Sequence, residues 1–275
     1  MFSSNPFAIV SGSLPEGFMK WYVTLMVLAV IVGTIWDIVH KGSASYFFAN
    51  WNKTRAKGSR QVSGAEVVSL AVQTGLVEVA TSAEFCNPKR RLAHLLTMYG
   101  FILYVAATAM MVYVYPTPAT PAPALVPMLW GIGASMICLG GYWFWFFIRV
   151  DVAAEGNSPL RLMKADLFIL SLLASATLGL AWAASGGGLG VLFGLYLLAT
   201  TVLFAGVPWS KFAHMFFKPA AALEKRVSAA NGSAQNLPTQ SRDDPEQQKR
   251  HSMELLKDAP MDMGLGIKRE APRHY

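Results

Sequence analysis

The chain of 275 residues is 53% hydrophobic and only 14% charged, a balance that is too apolar for an ordinary soluble domain. Its formal charge of +7 would suit a nucleic-acid partner, but the cations lie between long apolar segments, so we expect a lipid bilayer and no nucleic acid. The two cysteines, Cys86 and Cys138, lack a CxxC spacing, which gives no support to a disulfide framework or an iron–sulfur site.

Five apolar segments, each long enough to span a bilayer, predict an all-α integral membrane bundle with five transmembrane helices. Residues 1–18 form a polar N-terminal segment without the cationic start of a signal peptide. The membrane domain is expected to cover residues 19–227. Its predicted helices cover residues 21–39, 92–114, 126–148, 167–184 and 189–209.

The cations of the chain fall on one side of this predicted bundle. Only Lys20 of the 23 Lys and Arg precedes the first helix, and the other 22 lie in the 40–91 loop, in the 149–166 connection and after the fifth helix. By the positive-inside rule, the N-terminus is outside and the C-terminus is cytoplasmic. Within the cytoplasmic loop 40–91, the apolar residues along 63–80 predict a short amphipathic helix at the surface.

Residues 228–275 are predicted to form a cytoplasmic tail that is disordered or extended. The tail holds seven acidic and seven basic residues and no aromatic residue before Tyr275, so it buries too little apolar surface to fold alone. Its end mixes apolar and charged residues as a docking peptide does, with Leu265, Ile267 and Tyr275 as the expected anchors for a partner. A solvated tail without a partner is the alternative.

Two histidines stand at the ends of predicted transmembrane helices, beside positive charge. His94 lies near the start of a region, from Leu92 to Ile148, that contains no Asp, Glu, Lys or Arg. His214 ends the motif Pro-Trp-Ser-Lys-Phe-Ala-His at the far end of the fifth helix. An imidazole at the edge of an apolar helix costs free energy unless something binds it, so both histidines are candidate site residues.

Low-spin haem b takes two axial imidazoles from different helices, with cations near its propionates. His94 and His214 are therefore the candidate metal ligands of a haem b, with Arg90, Arg91 and Lys211 as the cofactor-binding cations. The alternative for each histidine is an interfacial side chain that reaches the polar headgroups. At the end of the first helix, Asp37 and His40 form a candidate proton path, and His40 has the same interfacial alternative.

The two histidine motifs resemble a known family. The sequences Arg-Arg-Leu-Ala-His-Leu-Leu-Thr-Met-Tyr-Gly-Phe in helix two and Pro-Trp-Ser-Lys-Phe-Ala-His-Met after helix five are similar to the haem b subunits related to the respiratory nitrate reductase gamma chain. The second motif is especially similar to the membrane part of the quinone-interacting oxidoreductase complex of sulfate reducers. The resemblance covers about residues 20–220, without the iron–sulfur domain of that complex. With its short length and polar tail, the chain most resembles the membrane-anchor subunits of dissimilatory adenylylsulfate reductase in sulfur-oxidising bacteria.

The family pattern also bears on the number of haems. In the nitrate reductase pattern a second haem has one ligand ten residues after the first histidine and another eighteen residues before the last. These positions are Tyr104 and Tyr196 here, so both outer ligands are replaced while His94 and His214 remain. The resemblance therefore implies one haem b.

The resemblance further implies a non-catalytic electron-transfer subunit in the bacterial cytoplasmic (inner) membrane. Its partners would be the soluble flavin and iron–sulfur adenylylsulfate reductase, which oxidises sulfite, and the membrane quinone. Alternatives are a haem-free membrane anchor that only recruits the reductase, and a haem b subunit of another quinone-linked oxidoreductase. A transporter ranks last, because residues 92–148 and 167–210 contain no acidic residue, lysine or arginine to line a path.

Overall fold

The computed structural model describes residues 4–15, 17–83, 85, 87–149, 160–210, 214–235 and 237, and for residues 165 and 214 it describes the backbone alone. The described residues form nine α-helices and no strand. In chain order the helices are α1 (Pro6–Ser11), α2 (Phe18–His40), α3 (Ser43–Lys57), α4 (Gly64–Thr74), α5 (Pro88–Ala109), α6 (Leu125–Trp143), α7 (Leu167–Ala184), α8 (Val191–Ala205) and α9 (His214–Ala230).

Several helices continue in turns of a different pitch. Three of them, α4, α5 and α6, pass without a break into the π-helical stretches Gly75–Ala80, Met110–Val114 and Phe144–Ile148. Two 3-10 turns flank the last apolar helices, Lys164–Asp166 before α7 and Val207–Trp209 after α8.

The helices pack into two compact units. The membrane unit comprises the described parts of residues 1–41 and 92–213, and the basic unit comprises those of residues 42–91 and 214–275. The basic unit is named for its composition, because residues 42–91 and 214–237 carry ten Lys and Arg against four Asp and Glu.

Four helices of the membrane unit are long and apolar enough to cross a membrane: α2, α5 and α6 with their π-helical ends, and α7. These correspond to the first four predicted spans, which confirms a membrane protein that is all-helical over the described residues. The fifth predicted span, residues 189–209, corresponds to α8, a shorter apolar helix of 15 residues, together with the 3-10 turn that follows it.

Hydrogen bonds and backbone contacts join the helices of the membrane unit. The Ser175 hydroxyl of α7 lies 2.8 Å from the Thr200 hydroxyl of α8, and the Tyr22 hydroxyl of α2 donates to the Leu197 carbonyl of α8 at 2.9 Å. Between α5 and α6 the backbones touch, since a Cβ on Gly133 would lie 2.7 Å from the Tyr104 nitrogen. Such close packing and interhelical hydrogen bonds hold helices together in lipid, where the hydrophobic effect does not.

The N-terminal segment, which its composition predicts only as polar, contains the short helix α1. Asn5 caps α1 by accepting hydrogen bonds from the backbone N–H groups of Phe7 and Ala8. The Asn5 amide also donates to the carbonyls of Met111 at 3.2 Å and Tyr115 at 2.7 Å. Because Phe7 is only 1% exposed, α1 is an integral part of the membrane unit.

The basic unit is built from α3, α4 and α9, which meet through polar side chains. Thr54 of α3 donates to the Glu224 carboxylate of α9 at 3.0 Å, and the Asn231 amide donates to the Thr54 carbonyl at 2.7 Å. On the other side of α9, Arg226 pairs with Glu78 at 2.8 Å.

Two boundaries in the basic unit differ from the sequence-based expectation. The predicted amphipathic helix 63–80 is present as Gly64–Ala80, but α3 precedes it within what was expected to be loop. The predicted start of the tail at residue 228 lies inside α9, where Ser228 is fully buried. The remainder of the predicted tail, beyond residue 237, lies outside the described residues.

Candidate functional site

His94 lies in the second turn of α5, where it is half-buried. Its neighbour Ala93 is 2% exposed and contacts α6, since a Cβ on Gly140 would lie 2.6 Å from the Ala93 carbonyl oxygen. Successive residues of an α-helix are turned by about 100°. His94 therefore lies beside the contact with α6, not within it.

The face of α5 that carries His94 meets α8. His94 and Phe101 are seven residues apart and therefore share a face. The Phe101 ring lies 6.3 Å from the ring of Phe204 in α8, and His94 lies about 10 Å farther toward the start of α5. From this contact α8 leads, through the turn Val207–Trp209, into the motif that ends at His214.

For two of the predicted site residues the structure does not describe the side chain. His214 is the first residue of α9, but its side chain lies outside the described residues, as does all of Lys211. The pairing of His94 with His214, and the role of Lys211, therefore stay predictions.

Three cations occupy the first turn of α5. The Asn87 side chain caps this turn by accepting from the Lys89 N–H at 2.9 Å, Arg90 is half-buried, and the Arg91 Nε donates to the Thr81 carbonyl at 2.7 Å. Arg90 and Arg91, the cations predicted to bind the haem propionates, thus lie on this turn, and that role stays a prediction.

The described residues around His94 fit a haem. Imidazole is an axial ligand of b-type haem, this one is half-buried on an apolar helix, and two guanidinium groups precede it by about one turn. Within the described residues, no group of three or more His, Cys, Asp or Glu is arranged to hold a metal ion. A haem held by two histidines needs only two protein ligands, so this absence leaves the predicted pair of His94 and His214 untested.

The two residues of the predicted proton path have separate partners. Asp37 is 2% exposed and forms an ion pair with Lys41, one turn later in the chain. His40 is exposed, and its ring stacks on Trp36 with centroids 6.0 Å apart and an interplanar angle of 8°. A direct relay from Asp37 to His40 has no contact to support it, and the proton path stays a prediction.

Asp37 lies on the face of α2 that packs against the turn Val207–Trp209. Gly33, one helical turn before Asp37, marks this contact, since a Cβ there would lie 3.1 Å from Val207 and 3.2 Å from Pro208. The fold therefore brings a buried carboxylate to the turn that leads into the His214 motif, a placement that the sequence could not reveal.

Tyr104 and Tyr196 belong to one buried aromatic cluster. We define the cluster as Phe7, Tyr104, Trp130, Trp182 and Tyr196, all of which are at most 5% exposed. Tyr104 stacks on Trp130 at 5.2 Å, and Tyr196 stacks on Trp182 at 5.4 Å. The Phe7 ring of α1 joins the two stacks, 6.0 Å from Trp130 and 5.3 Å from Trp182.

The cluster is packed tightly around the Tyr104 hydroxyl. A Cβ on Gly179 would lie 2.8 Å from that oxygen. The hydroxyl is buried and makes no hydrogen bond within the described residues. The hydroxyls of Tyr196 and Ser175 are near enough to interact with it, but not in hydrogen-bonding geometry.

Sequence reasoning missed an ion pair at the start of α7. Arg149 pairs with Asp166, and their side chains are only 6% and 12% exposed. The Arg149 guanidinium also lies 3.9 Å from the centre of the Trp145 ring. A cation directly after one apolar helix and an acid directly before the next is the sequence signal that could have found this pair.

The predicted partner anchors Leu265, Ile267 and Tyr275 lie outside the described residues.

The four long apolar helices define a multi-pass helical membrane protein embedded in a lipid bilayer. No protein-family model and no solved structure matches the chain. Citrate utilization protein B of Escherichia coli is similar to it, with 30% identity over 151 residues that cover 52% of this chain and 39% of that protein. The chain thus spans well under half the length of this curated relative.

Proposed function

We propose that this protein is an electron-transfer subunit of the bacterial cytoplasmic membrane. In this proposal one haem b, held by His94 and His214, connects a soluble cytoplasmic oxidoreductase with the quinone pool. The observation that carries the proposal is the position of His94, a half-buried imidazole on the side of α5 that meets α8, three residues after the last of three consecutive cations. The resemblance of both histidine motifs to haem b subunits supports the same function.

The aromatic cluster supports a single haem. Tyr104 follows His94 by ten residues, or about 15 Å along α5. A second site of the same kind would need two imidazoles and an open slot at this level. Tyr104 and Tyr196 instead stand in close contact with tryptophan rings.

The contacts of the basic unit support five crossings. Residues 42–91 and 214–237 pack together, through Thr54 with Glu224 and Glu78 with Arg226, so both segments lie on one side of the membrane. Between these segments α5, α6 and α7 are each able to cross, and the chain returns to the same side only if α8 crosses as well. With its 3-10 turn, α8 is about 28 Å long, close to the roughly 30 Å of a hydrocarbon core.

The residues of the chain bind and orient the cofactor, and the chain carries out no substrate chemistry. When bound, haem b supplies one-electron transfer. His94 and His214 would hold the haem iron, and Arg90, Arg91 and Lys211 would neutralise the propionates. Asp37, a buried carboxylate beside the turn before His214, remains with His40 the candidate proton path.

By resemblance, the soluble partner is the flavin and iron–sulfur adenylylsulfate reductase. This enzyme oxidises sulfite together with AMP to adenylylsulfate, and its electrons pass to quinone through the membrane subunit. The positive charge of residues 42–91 and 214–237 supports a partner on the cytoplasmic side.

The proposal is tested by the reduced-minus-oxidised spectrum of the purified protein. His94→Ala and His214→Ala should each abolish the b-type bands while the protein still inserts, and wild-type protein should carry about one haem per chain, since an iron without an axial imidazole loses the low-spin signature. His40→Ala is the matched control, because it removes an exposed imidazole at a helix end. A retained, unshifted spectrum in either alanine variant would remove that residue as a ligand, and the absence of haem from the wild type would leave only a recruiting anchor.

The similarity to citrate utilization protein B favours a second candidate, in which the same membrane subunit serves a different soluble enzyme. The name of that relative ties it to citrate use and not to sulfur chemistry. Membranes that contain the protein distinguish the two candidates, since the haem should be reduced on addition of adenylylsulfate reductase with sulfite and AMP only if the first partner is correct.

A further inference from the structure

One side of α4 and its π-helical continuation is apolar and exposed. The side chains of Val68, Val72, Leu76 and Val79 are spaced by four, four and three residues and therefore share a side. They are 63%, 57%, 61% and 38% exposed. We call these four residues the α4 face.

The α4 face carries no charged side chain. The two acidic residues of this helix form ion pairs with arginines of the basic unit. Glu66 pairs with Arg60 at 2.9 Å, and Glu78 pairs with Arg226 at 2.8 Å. The hydrogen bonds from Arg60 lower the pKa of the Glu66 carboxyl below its usual value, so it stays ionised and paired at neutral pH. On the inner side, Thr74 is 2% exposed where α4 packs against α9.

The composition of the α4 face favours a protein surface over the bilayer. A helix that lies in a membrane interface is typically rich in Lys and Arg and exposes Trp, Phe or Leu. Residues 64–80 contain neither a cation nor an aromatic side chain, and Leu76 is the one residue of the α4 face that belongs to this interfacial type. Helix α3 of the same unit has the composition of a lipid-facing helix, with Tyr46 and Phe48 70% and 61% exposed and Arg55 and Lys57 in its last turn.

The size of the α4 face excludes a stable dimer as its main use. The 17 residues from Gly64 to Ala80 form a helix about 25 Å long and about 10 Å wide, which presents roughly 250 Å². A stable dimer buries about 800 Å² on each partner, whereas transient redox encounters use the smallest interfaces. The face therefore suits the apolar centre of a transient contact.

The unit that carries the α4 face has a net positive charge. The first turn of α4 borders a cavity of about 280 Å³ whose lining includes Trp51, Arg55 and Arg60. Ten cations against four acids in residues 42–91 and 214–237 give the whole unit an excess of six positive charges. A complementary partner carries carboxylates around an apolar patch.

We infer that the α4 face is the docking surface for a soluble redox protein whose contact patch is apolar and edged with carboxylates. This inference rests on the proposed function, in which such a protein delivers electrons to the membrane subunit. On this inference most of the contact with the partner is made by a folded helix. The predicted tail anchors Leu265, Ile267 and Tyr275 then contribute less to binding.

The experiment uses the full-length protein in nanodiscs and purified adenylylsulfate reductase as the probe. Val72→Asp combined with Leu76→Asp should weaken binding at least tenfold without changing the haem spectrum, because two carboxylates then meet an acidic rim and an apolar patch. Asn52→Asp is the matched control, since it adds a negative charge at an exposed position on α3 and should change binding less than twofold. Binding by wild type should weaken as salt is raised.

Three results would overturn the inference, and each has a different meaning. Equal binding by the wild type and the double variant removes the α4 face as the dock but leaves the proposed function in place. Release of the reductase by deletion of residues 260–275, with the double variant still bound, assigns docking to the tail. No binding by the wild type shows that the partner itself is wrong.

A fluorescent label at position 72 separates a protein partner from the bilayer. In a Val72→Cys variant that also carries Cys86→Ser and Cys138→Ser, an environment-sensitive label should shift to the blue only when the reductase is added. A blue shift in nanodiscs alone assigns the α4 face to lipid and overturns the inference.

Discussion

At the scale of single residues, glycines set the distance between α5 and α6. Added Cβ atoms on Gly100, Gly133 and Gly140 would lie 2.8, 2.7 and 2.6 Å from backbone or side-chain atoms of the opposite helix. On α6 the two glycines are seven residues apart, which is about two helical turns. Gly140 contacts Ala93, the residue immediately before His94. This contact therefore also fixes where His94 lies along α6 and in which direction it faces.

Gly140→Ala should therefore destabilise the protein and disturb the haem. The added methyl group would collide with the Ala93 carbonyl, and overpacking of this kind costs about 1–3 kcal/mol. We expect a lower apparent unfolding temperature in detergent and a lower haem content per chain. Gly194→Ala in α8 is the control, because a Cβ there has no atom within 4 Å, and it should be neutral or slightly stabilising. An unchanged Gly140→Ala variant would mean that α5 and α6 are not packed this closely.

The Tyr104 hydroxyl offers a second test at the residue scale. It is buried without a hydrogen bond within the described residues, and such a group costs about 1–3 kcal/mol. Tyr104→Phe should therefore raise the apparent unfolding temperature. Tyr22→Phe is the contrasting variant, because the Tyr22 hydroxyl donates to the Leu197 carbonyl and its loss should lower stability by about 0.5–1.5 kcal/mol. Destabilisation by Tyr104→Phe would show that the hydroxyl has a partner.

At the scale of elements, α1 is a short helix that depends on its surroundings. Six residues are too few for a helix to be stable alone in water, so its stability comes from Asn5 and from burial of Phe7. The Asn5 amide satisfies two carbonyls at the end of α5, where the helix has no further N–H donors of its own. The element thus closes one end of the aromatic cluster.

Phe7→Ala should cost about 3–5 kcal/mol, as expected for removal of a fully buried aromatic ring. The measurement is thermal unfolding in detergent, followed by near-UV circular dichroism, because the cluster contains two tryptophans. Ile9→Ala lies on the same helix at a side chain that is 42% exposed, and its effect should be much smaller. If the two variants behave alike, α1 is not docked in the cluster.

At the scale of the whole molecule, the position of residues 214–237 depends on whether α8 crosses the membrane. Four crossings would separate them from residues 42–91, which would break the bonds from Thr54 to Glu224 and from Glu78 to Arg226. Five crossings keep both segments together on the cytoplasmic side. Charge and packing therefore favour the same topology for independent reasons.

Topology reporters fused to truncated chains should confirm five crossings. A periplasm-active phosphatase should be active when fused after residue 120 or 187 and inactive after residue 60 or 235. The reason is that the 115–125 and 185–190 connections contain no Lys or Arg, whereas the other connections are basic. Phosphatase activity after residue 235 would show that α8 does not cross and that the basic unit cannot form as described.

Much of the helical plan follows from the sequence by itself. The sequence was enough to predict the first four membrane helices, the amphipathic helix at 64–80 and the asymmetry of charge. The reason is that the free energy of transfer from water to a bilayer is a sum over neighbouring residues of the chain. The two histidine motifs likewise stand out without a structure. Helix α1 was not predicted, and the pair Asn5-Pro6, a cap followed by proline, is the local signal that could have found it.

The tertiary structure decided what depends on contacts between distant segments. Asn5 meets Met111 across 106 residues, and Thr54 meets Glu224 across 170. No local pattern predicts that Phe7 joins the aromatic cluster, that Asp37 lies against the turn before His214, or that residues 228–235 pack into the basic unit. Each of these facts is set by which helix faces pack against one another, a choice that hydropathy summed along the chain leaves open.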